Sequence, residues 1–311
     1  MIKHKILLTG ASGFLGKHIL TALSSHHITT IGRSPFNHKD HIQVDLSKDC
    51  KSLPKVHYDV VIHAAGLAHI NTNKAIKNKD AFEAVNVRGT NNLLKALEHS
   101  ENIPNAIVYI SSVAVYGKTE GEAIKEDEPL RAADPYGLSK RKTEEAIFNW
   151  CEKNDVRSTI LRLPLVAAKN PPGNLGAMIR AIEKGYYFVI GNGNARRSIV
   201  SPVDVAQSIV KASSVGGVYN LACDYHPSYK EISEIIAEKL QRKIRYMPYN
   251  IASVLSSIGT GIERISGLPV PLNKDICKKL SSTLTFSSEK AKKSIQWLPQ
   301  NALDIIRQVV N

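Results

Sequence analysis

The sequence lacks the features of a disulfide-bonded, metal-binding or membrane-spanning protein. Its four cysteines, at positions 50, 151, 223 and 277, stand far apart and form no Cys-x-x-Cys pair, so neither a disulfide framework nor a metal site is expected. No apolar run approaches the ~20 residues of a transmembrane helix. The chain runs from Met1 directly into a strand-like segment, which is unlike a signal peptide. These absences predict a cytoplasmic protein without membrane insertion.

Aromatic residues are also scarce, at 6% of the 311 residues. Basic residues exceed acidic ones by 13 but form no block along the chain. Nucleic-acid-binding surfaces usually combine clustered positive charge with aromatic rings. The excess charge suits anionic partners such as nucleotides, while most of these side chains are expected simply to be solvated. We therefore expect no nucleic-acid partner.

What the first half of the chain does contain is an alternation of short apolar runs with helical patterns. This order predicts βαβ units and a parallel sheet with helices on both faces. The predicted helices lie near 14–25, 80–99 and 135–154. The predicted strands are Ile6–Leu8, Ile28–Ile31, Ile42–Val44, Val60–Ile62, Ala106–Ile110 and Thr159–Leu163.

Prolines and glycines interrupt this rhythm after about residue 164. We expect a Rossmann-type, doubly wound α/β domain over 1–165 and a smaller mixed substrate-binding part over 166–311, some of which returns to the core. Helices are predicted near 175–184, 202–213, 228–240, 250–265 and 301–310. The apolar helix from Ile251 to Ile265 has few basic residues directly beside it, so we expect it to be packed or to act as a lid rather than to lie on a membrane.

A glycine-rich loop, Gly10-Ala11-Ser12-Gly13-Phe14-Leu15-Gly16, joins the first predicted strand to the first predicted helix. Gly10 allows the tight turn, Gly13 allows close approach of a pyrophosphate, and Gly16 allows the helix to pack closely. A helix N-terminus offers unpaired N–H groups to such a phosphate. In this position the loop predicts dinucleotide binding.

The second predicted strand is followed by Arg33 and Ser34, where an NAD-binding protein usually has an acidic residue. Arginine pairs well with a 2′-phosphate, so the sequence favours NADP(H), with NAD(H) as the alternative. Further cofactor contacts are expected where later strands end. These are Asp45 and Leu46 near the adenine, and Ala64, Ala65 and Gly66 beside the passing cofactor.

Tyr136 and Lys140 are four residues apart on a predicted helix, a spacing that places them on one face. A nearby ammonium favours the phenolate, so we expect Lys140 to lower the pKa of Tyr136. A tyrosine with a lowered pKa can act as an acid or base near neutral pH. Ser111 and Ser112 lie upstream at a suitable distance.

Together these segments resemble the extended short-chain dehydrogenase/reductase family, in its NAD-dependent epimerase/dehydratase branch. The resemblance extends over nearly the whole chain. The motifs that carry it are Gly10-x-x-Gly13-x-x-Gly16, His63-Ala64-Ala65-Gly66, Asn86-Val87-x-Gly89-Thr90, Ser111-Ser112-Val113-Ala114-Val115-Tyr116-Gly117 and Tyr136-x-x-x-Lys140.

The resemblance implies a Rossmann-type domain with Ser112, Tyr136 and Lys140 as the catalytic set. Tyr136 would exchange a proton with a sugar oxygen, Ser112 would bind the same oxygen, and Lys140 would hold the nicotinamide ribose. Asn86 belongs to the implied cofactor site, and Val113, Asn174 and Arg197 to the implied substrate site. Asn174 and Arg197 match residues that bind the diphosphate of a nucleotide sugar. Many relatives have a Tyr-Gly-Pro turn where this chain has Val166-Ala167-Ala168, so the sugar is left open.

Within the family the chain looks most like bacterial reductases of UDP-4-keto-6-deoxy-N-acetylhexosamines, which serve surface polysaccharide synthesis. The alternative is a UDP-hexose or UDP-N-acetylhexosamine 4-epimerase with bound NAD. A dehydratase is disfavoured because Val113 and Ala114 follow Ser112 where an Asp-Glu pair would be needed. Non-catalytic redox-sensing or RNA-binding relatives are disfavoured by the intact catalytic set. By analogy with the family, the helices near 80–99 and 135–154 would form a homodimer interface.

Overall fold

A seven-stranded parallel sheet forms the centre of the molecule in the computed structural model, which describes residues 3–48, 53–68, 75–99, 103–266, 270 and 272–310. The strands are β1 (Lys5–Thr9), β2 (His27–Gly32), β3 (His41–Gln43), β4 (Val60–His63), β5 (Ala106–Ser112), β6 (Gly121–Ile124), β7 (Arg157–Leu163), β8 (Leu165–Val166), β9 (Phe188–Ile190), β10 (Ile199–Val200), β11 (Gly217–Asn220), β12 (Arg245–Met247) and β13 (Leu284–Phe286). In the central sheet they lie in the order β11-β7-β5-β4-β1-β2-β3, and every pair is parallel. This is the Rossmann-type fold expected from the sequence.

Helices cover both faces of this sheet, as the nearly continuous apolar character of β1, β4 and β5 requires. The helices are α1 (Phe14–Ala22), α2 (Ala75–Phe82), α3 (Gly89–His99), α4 (Pro135–Lys153), α5 (Gly173–Glu183), α6 (Pro202–Val215), α7 (Tyr229–Lys239), α8 (Tyr249–Ser266), α9 (Lys274–Ser281), α10 (Glu289–Ile295) and α11 (Ala302–Gln308). One core cluster joins α1 and α6 to the sheet, and another joins α3 and α4 to its opposite face. Three smaller two-stranded sheets, β10-β8, β12-β9 and β13-β6, lie outside the central one.

The helix predicted over 80–99 consists of three pieces, since a π-helical segment, Glu83–Arg88, separates α2 from α3. The carbonyl oxygen of Asn86 accepts hydrogen bonds from the hydroxyls of Thr90 and Thr143 at 2.6 and 3.2 Å. These side-chain donors hydrogen-bond the backbone within the π-helical segment. The widened turn carries the Asn86 side chain toward the carboxyl end of β4.

The sheet order reverses between β1 and β4, whose carboxyl ends therefore border a crevice. Chain segments that come after residue 165 also contribute to the central unit. Strand β11 forms an edge of the sheet beside β7, and α6 packs against α1. The crevice at the switch point is the place where open α/β sheets bind ligands.

Helix α8 packs on the protein by a different side from the one that its apolar sequence predicts. Its large apolar side chains, Ile258 among them, are exposed, whereas Ala252 and Ser256 are buried. The helix is packed as expected, but through the small residues on one side, and its large apolar residues face away from the protein. The alternative that it acts as a lid stays a prediction. Among the described residues, no helix has both the length and the apolar character needed to cross a membrane.

Candidate active site

The loop between β1 and α1 has a conformation that requires glycine at two positions. Gly10 has a φ of +76°, and a Cβ atom there would lie 2.6 Å from the backbone nitrogen of Ala65. A Cβ at Gly16 would lie 1.9 Å from the carbonyl oxygen of Gly10. The loop therefore lies directly against the segment that follows β4, and α1 begins close beneath it.

The first turn of α1 has no side-chain cap and no acidic residue. Gly13 is the N-cap residue. The amide of Lys17 donates a hydrogen bond to the carbonyl oxygen of Gly13 at 3.1 Å. The preceding helical amides, at Phe14, Leu15 and Gly16, belong to the set that a helix leaves without a partner. Ser12 and Gly13 are exposed at this end. Such a helix start fits the phosphate groups of a dinucleotide.

Arg33 and Ser34 are exposed at the carboxyl end of β2. Within the described part of the chain, the Arg33 guanidinium makes no hydrogen bond or ion pair, and only its backbone oxygen is engaged, by Gln43. Asp45, after β3, has a lowered pKa, mainly through its hydrogen bond with Ser47 and in smaller part through the charge of Arg33. Arg33 thus lies close to Asp45 and remains available to an anionic group.

Asn86 fastens the segment after β4 to α4. Its side chain accepts from the Leu67 amide at 2.7 Å and donates to the Leu67 carbonyl at 3.1 Å and to the Ser139 hydroxyl at 2.9 Å. Gly66 lies between these elements, so a Cβ there would be 3.3 Å from Asn86 Oδ1 and 3.4 Å from Lys140 Nζ. The cofactor residues expected at Ala64–Gly66 and Asn86 are therefore brought together with Lys140.

His63 connects this region to the glycine-rich loop through a buried chain of hydrogen bonds. Its Nδ1 lies 2.7 Å from the Thr9 hydroxyl, and its Nε2 lies 2.8 Å from the Thr90 hydroxyl. Burial lowers the pKa of His63 to about 3, and the charge of Lys140 acts in the same direction. His63 is therefore neutral at physiological pH, and we assign it a role in holding the loop.

The beginning of α4 places Tyr136 beside Ser112. Asp134 caps the helix by accepting from the Gly137 amide at 3.0 Å, and Pro135 supplies a first residue with suitable φ. A Cβ at Gly137 would lie 2.7 Å from the carbonyl oxygen of Ala114. The absence of a side chain at Gly137 lets α4 approach the 3₁₀ turn after β5, where Ser112 is the N-cap. Sequence reasoning did not identify Gly137.

The pKa of Tyr136 is raised, contrary to the lowering that the sequence predicts. Burial of the phenol is the main cause, the Asp134 carboxylate adds to it, and a hydrogen bond from Ser112 opposes it. The prediction is wrong because desolvation of the phenolate outweighs the favourable contacts in this structure. Tyr136 is therefore held as a neutral phenol that can donate a proton.

Lys140 is buried on the same helix, one turn after Tyr136. Its Nζ donates to the carbonyl oxygen of Ile110 at 2.8 Å and lies 4.6 Å from the centre of the Tyr109 ring. Burial lowers the pKa of Lys140 to about 8, although the carboxylate of Glu144 acts to raise it. The ammonium is thus directed toward the end of β5 and only moderately basic.

Behind the candidate catalytic residues lies a buried ion pair that sequence reasoning missed. Glu144 and Arg162 form a salt bridge of 2.7 Å, and both side chains are almost fully buried. Glu144 also accepts from Ser111 at 2.5 Å, and Arg162 donates to the hydroxyl of Tyr116 at 3.0 Å. The spacing of Tyr136, Lys140 and Glu144, four residues apart each time, was the available signal. The pair joins α4 to β5 and β7 directly beneath the site.

Within the described residues, the three residues implied for substrate binding make no hydrogen bonds with one another. Asn174 is exposed in the first turn of α5, where no side chain caps the helix, and Val113 is partly buried in the turn after Ser112. Arg197 donates to the Tyr229 hydroxyl and to the carbonyl oxygens of Arg196, Ser282 and Lys279. Four of its five N–H groups are thereby occupied. Arg196 is more exposed and donates to the His226 carbonyl at 2.8 Å.

In the described part of the chain, the cysteines are neither in disulfide bonds nor activated as thiolates. Cys151, Cys223 and Cys277 are buried and unpaired, and burial raises the pKa of Cys151 and Cys223 to about 12. Cys50 lies outside the described residues. Among the described residues, no three His, Cys, Asp or Glu side chains form a group able to hold a metal ion.

Comparison with known proteins identifies the family. Residues 6–222 match the NAD dependent epimerase/dehydratase family, so the chain belongs to that family, an extended branch of the short-chain dehydrogenases/reductases. The open N-terminus of α1 and the glycine at position 10 fit a nicotinamide dinucleotide. The protein is therefore an enzyme of the epimerase and reductase class that uses a nicotinamide cofactor.

Two curated relatives and two solved structures illustrate the proteins to which this chain is similar. The chain is 25% identical to an N-acetyl-α-D-glucosaminyl-diphospho-ditrans,octacis-undecaprenol 4-epimerase of Escherichia coli O157:H7, over 93% of this chain and 89% of that protein. It is 28% identical to a GDP-6-deoxy-D-mannose reductase of Pseudomonas aeruginosa, over 76% and 80%. The structure of RMD from Pseudomonas aeruginosa complexed with NADPH matches with a TM-score of 0.73 at 20% identity, covering 98% of both chains. A UDP-glucuronic acid 4-epimerase from Bacillus cereus, in complex with UDP-glucuronic acid and NAD, matches with a TM-score of 0.76 at 21% identity, over 98% and 97%. These two structures establish the shared fold.

Proposed function

We propose that the protein reduces the C4 keto group of a UDP-linked 4-keto-6-deoxy-N-acetylhexosamine, with Tyr136 as the general acid. The observation that carries the proposal is the position of Tyr136 at the start of α4, which packs through Gly137 against the turn that Ser112 begins, with Lys140 one helical turn further along. A bound nicotinamide supplies the hydride in this chemistry. Ser112 would orient the sugar oxygen, and Tyr136 would donate the proton that this oxygen needs as it gains charge.

Lys140, one helical turn after Tyr136, would assist through its positive charge. Its ammonium lies beside Gly66 and Asn86, where the segment after β4 borders the crevice, and its partner, the Ile110 carbonyl, lies near the end of β5. We propose that it holds the nicotinamide ribose and favours the phenolate as Tyr136 loses its proton. Because burial lowers the pKa of Lys140 to about 8, this electrostatic help would weaken in alkaline solution.

The choice of reduction rests on Arg33. Its side chain is exposed and makes no contact that competes with a 2′-phosphate, which favours NADP(H) over NAD(H). A reductase must release its oxidised cofactor and take up a reduced one at each turnover, and an NADPH preference suits that use. A GDP-sugar reductase is among the relatives.

The substrate diphosphate would be held at the opposite edge, at the start of α5 beside Asn174 and near Arg197. Since Arg197 has a single N–H group to spare, we propose that the more exposed Arg196 shares this task. Anionic groups are stabilised at an uncapped helix start and by arginine.

A 4-epimerase with bound NAD is the second candidate. In favour of it, a 4-epimerase is the relative that matches 93% of this chain, and Ser112, Tyr136 and Lys140 would perform the same proton transfer in either reaction. That relative is named for a sugar diphosphate carried on undecaprenol, so a lipid carrier in place of uridine belongs to this second candidate. The difference lies in the net redox change. A reductase would pass the hydride of NADPH to the keto sugar and release oxidised cofactor, whereas an epimerase would take a hydride from the sugar onto NAD and return it, so that its cofactor would be unchanged.

One experiment separates the candidates. The protein is incubated with NADPH, NADH or NAD and a panel of UDP-4-keto sugars, UDP-hexoses and polyprenyl-diphosphate sugars, while absorbance and products are followed. Stoichiometric loss of NADPH supports the reductase, and isomerisation without net loss supports the epimerase. Tyr136→Phe is the control, since it should abolish either activity. Absence of both activities on every substrate would reject the proposal.

Three further predictions accompany this function. We propose that residues 1–165 bind the cofactor and residues 166–311 the sugar nucleotide, and that α3 and α4 form a homodimer interface. A non-catalytic role in RNA binding or redox sensing is disfavoured because the catalytic set is intact. Salt-dependent binding of random RNA by the purified protein would revive that role.

A further inference from the structure

A surface helix usually buries its large apolar residues, but α8 exposes them. Its buried residues are small, namely Ala252, Ser256 and Gly259, while its large apolar residues face outward. A Cβ at Gly259 would lie 2.1 Å from the carbonyl oxygen of Leu272, so glycine permits the chain before α9 to press against the helix. The protein therefore holds α8 by its small face and leaves its apolar face uncovered within the described residues.

The uncovered face is a continuous stripe. Its side chains are each between 43% and 61% exposed, and they belong to Ile251, Val254, Leu255, Ile258 and Ile262. At about 100° of rotation per residue these five fall within one arc of the helix. Single exposed apolar residues are ordinary, but a contiguous stripe of five indicates an interaction surface.

Basic residues stand on both sides of α8 along the chain and on the neighbouring helix α9. The segment 239–279 contains eight basic and two acidic residues. Arg245 begins strand β12, four residues before α8, and Arg264 lies in the last turn of the helix. Lys274 and Lys279 lie on α9, which packs beside it. All four are exposed, and among the described residues no carboxylate lies within ion-pairing distance of any of them.

This combination of charge and apolar surface decides between two occupants. A second copy of the chain would bring an identical positive region against the first, which like-charge repulsion opposes. An anionic lipid surface offers apolar chains to the stripe and negative headgroups to the basic residues. We propose that α8 docks the protein on an anionic bilayer, with the helix lying in the plane of the membrane surface.

The docked face is connected to the edge of the candidate site. Helix α9 lies against α8, and its C-terminal end accepts hydrogen bonds from Arg197 at the carbonyl oxygens of Lys279 and Ser282. Docking would therefore bring the crevice near the lipid surface. The inference goes beyond the proposed function and does not depend on it, since it concerns where the enzyme lies rather than what it converts.

Binding to vesicles tests the inference directly. The full-length protein is sedimented with vesicles of phosphatidylcholine alone, or of phosphatidylglycerol and phosphatidylcholine in equal parts, at low and high salt. We expect binding to the phosphatidylglycerol vesicles that weakens as salt rises. Ile258→Asp should weaken it by about 10-fold or more, because one apolar side chain is lost and a like charge is added. Leu298→Asp is the matched control, since Leu298 is 88% exposed and lies outside the stripe, and it should bind as the wild type does.

Other outcomes would overturn the proposal. They are failure of the wild type to bind either vesicle, equal binding by Ile258→Asp, and a concentration-dependent dimer in analytical ultracentrifugation that Ile258→Asp dissociates. The last would assign the stripe to a second copy. Circular dichroism checks that the variants fold. If Ile258→Asp does not fold, the double variant Arg245→Gln, Lys274→Gln serves instead and should abolish the salt-dependent part of binding.

Discussion

The ammonium group of Lys140 donates a hydrogen bond to the carbonyl oxygen of Ile110 at 2.8 Å, inside the fold and one helical turn below Tyr136. The contact fixes the direction of the lysine side chain at the carboxyl end of β5. It also keeps the charge in a place from which water is excluded, so the pKa falls from 10.5 to about 8. The burial that positions the ammonium group therefore also destabilises its charged form.

The first prediction concerns the pH dependence of stability. Between pH 8 and 10.5 the unfolded chain holds a proton on Lys140 that the folded chain has lost, so the free energy of unfolding should rise with pH in this window. The total change is on the order of 3 kcal/mol. Lys140→Met removes the titrating group and should flatten this rise in urea unfolding measured at several pH values. An equal rise in wild type and variant would contradict the lowered pKa.

Removal of the Tyr136 hydroxyl should stop proton transfer while leaving the fold intact. We expect Tyr136→Phe to lower turnover by ~10²–10⁴-fold, and NADPH should still bind, because the α1 N-terminus is unchanged. Turnover and cofactor fluorescence measure the two effects separately. Tyr186→Phe is the matched control, since Tyr186 is exposed in the turn after α5. Full activity of Tyr136→Phe on a verified substrate would reject Tyr136 as the acid.

Gly137 is predicted to position Tyr136 through close packing. Gly137→Ala places a methyl group 2.7 Å from the Ala114 carbonyl oxygen, so α4 must move away from the Ser112 turn. Overpacking of this kind costs about 1–3 kcal/mol, and turnover should fall more than NADPH affinity. Gly261→Ala is the control, because nothing lies within 4 Å of its added carbon, and it should be neutral or stabilising. Unchanged turnover in Gly137→Ala would show that the approach is not needed.

Much of the Rossmann half was predictable because its signals are local. The buried strands are short apolar runs, and the glycine-rich loop, Asp134 and Pro135 mark where α1 and α4 begin. The catalytic set was found from a spacing and a resemblance. Contacts between distant segments were not predictable in the same way. The π-helical turn at Asn86 depends on hydroxyls from Thr90 and Thr143.

The departures from prediction share one cause, which is that burial in three dimensions cannot be read from spacing. The pKa of Tyr136 was expected to fall because Lys140 is four residues away, yet desolvation raises it. Helix α8 was expected to be packed because it is apolar, and it is packed, but through its small face. Its basic neighbours, such as Lys274 on α9, stand several residues beyond the ends of the helix, so the residues directly beside it gave little sign of them.

Arg33 should distinguish the two nicotinamide cofactors. We expect Arg33→Ala to weaken NADPH binding much more than NADH binding, because only NADPH has a 2′-phosphate for the guanidinium to pair with. Titration of cofactor fluorescence gives both dissociation constants. Arg307→Ala is the control, at a half-exposed arginine on α11 that pairs with Asp304. Equal weakening of both cofactors would remove the basis for an NADPH preference, and with it the argument for reduction.

The Glu144–Arg162 pair joins α4 to the sheet, and removal of one partner should strongly destabilise the fold. Glu144→Gln leaves the Arg162 guanidinium buried without its counter-charge, which typically costs 3–5 kcal/mol. It also removes a carboxylate that raises the pKa of Lys140. The rise in the free energy of unfolding with pH, which Lys140 causes, should therefore begin at a lower pH in this variant. Glu145→Gln, at the next residue but exposed, should change the free energy of unfolding by less than ~0.5 kcal/mol. Urea unfolding of both variants at neutral pH makes the comparison. Similar small losses in the two would mean that Arg162 finds other partners, such as Tyr116, and that the pair is not what fixes the position of the catalytic helix.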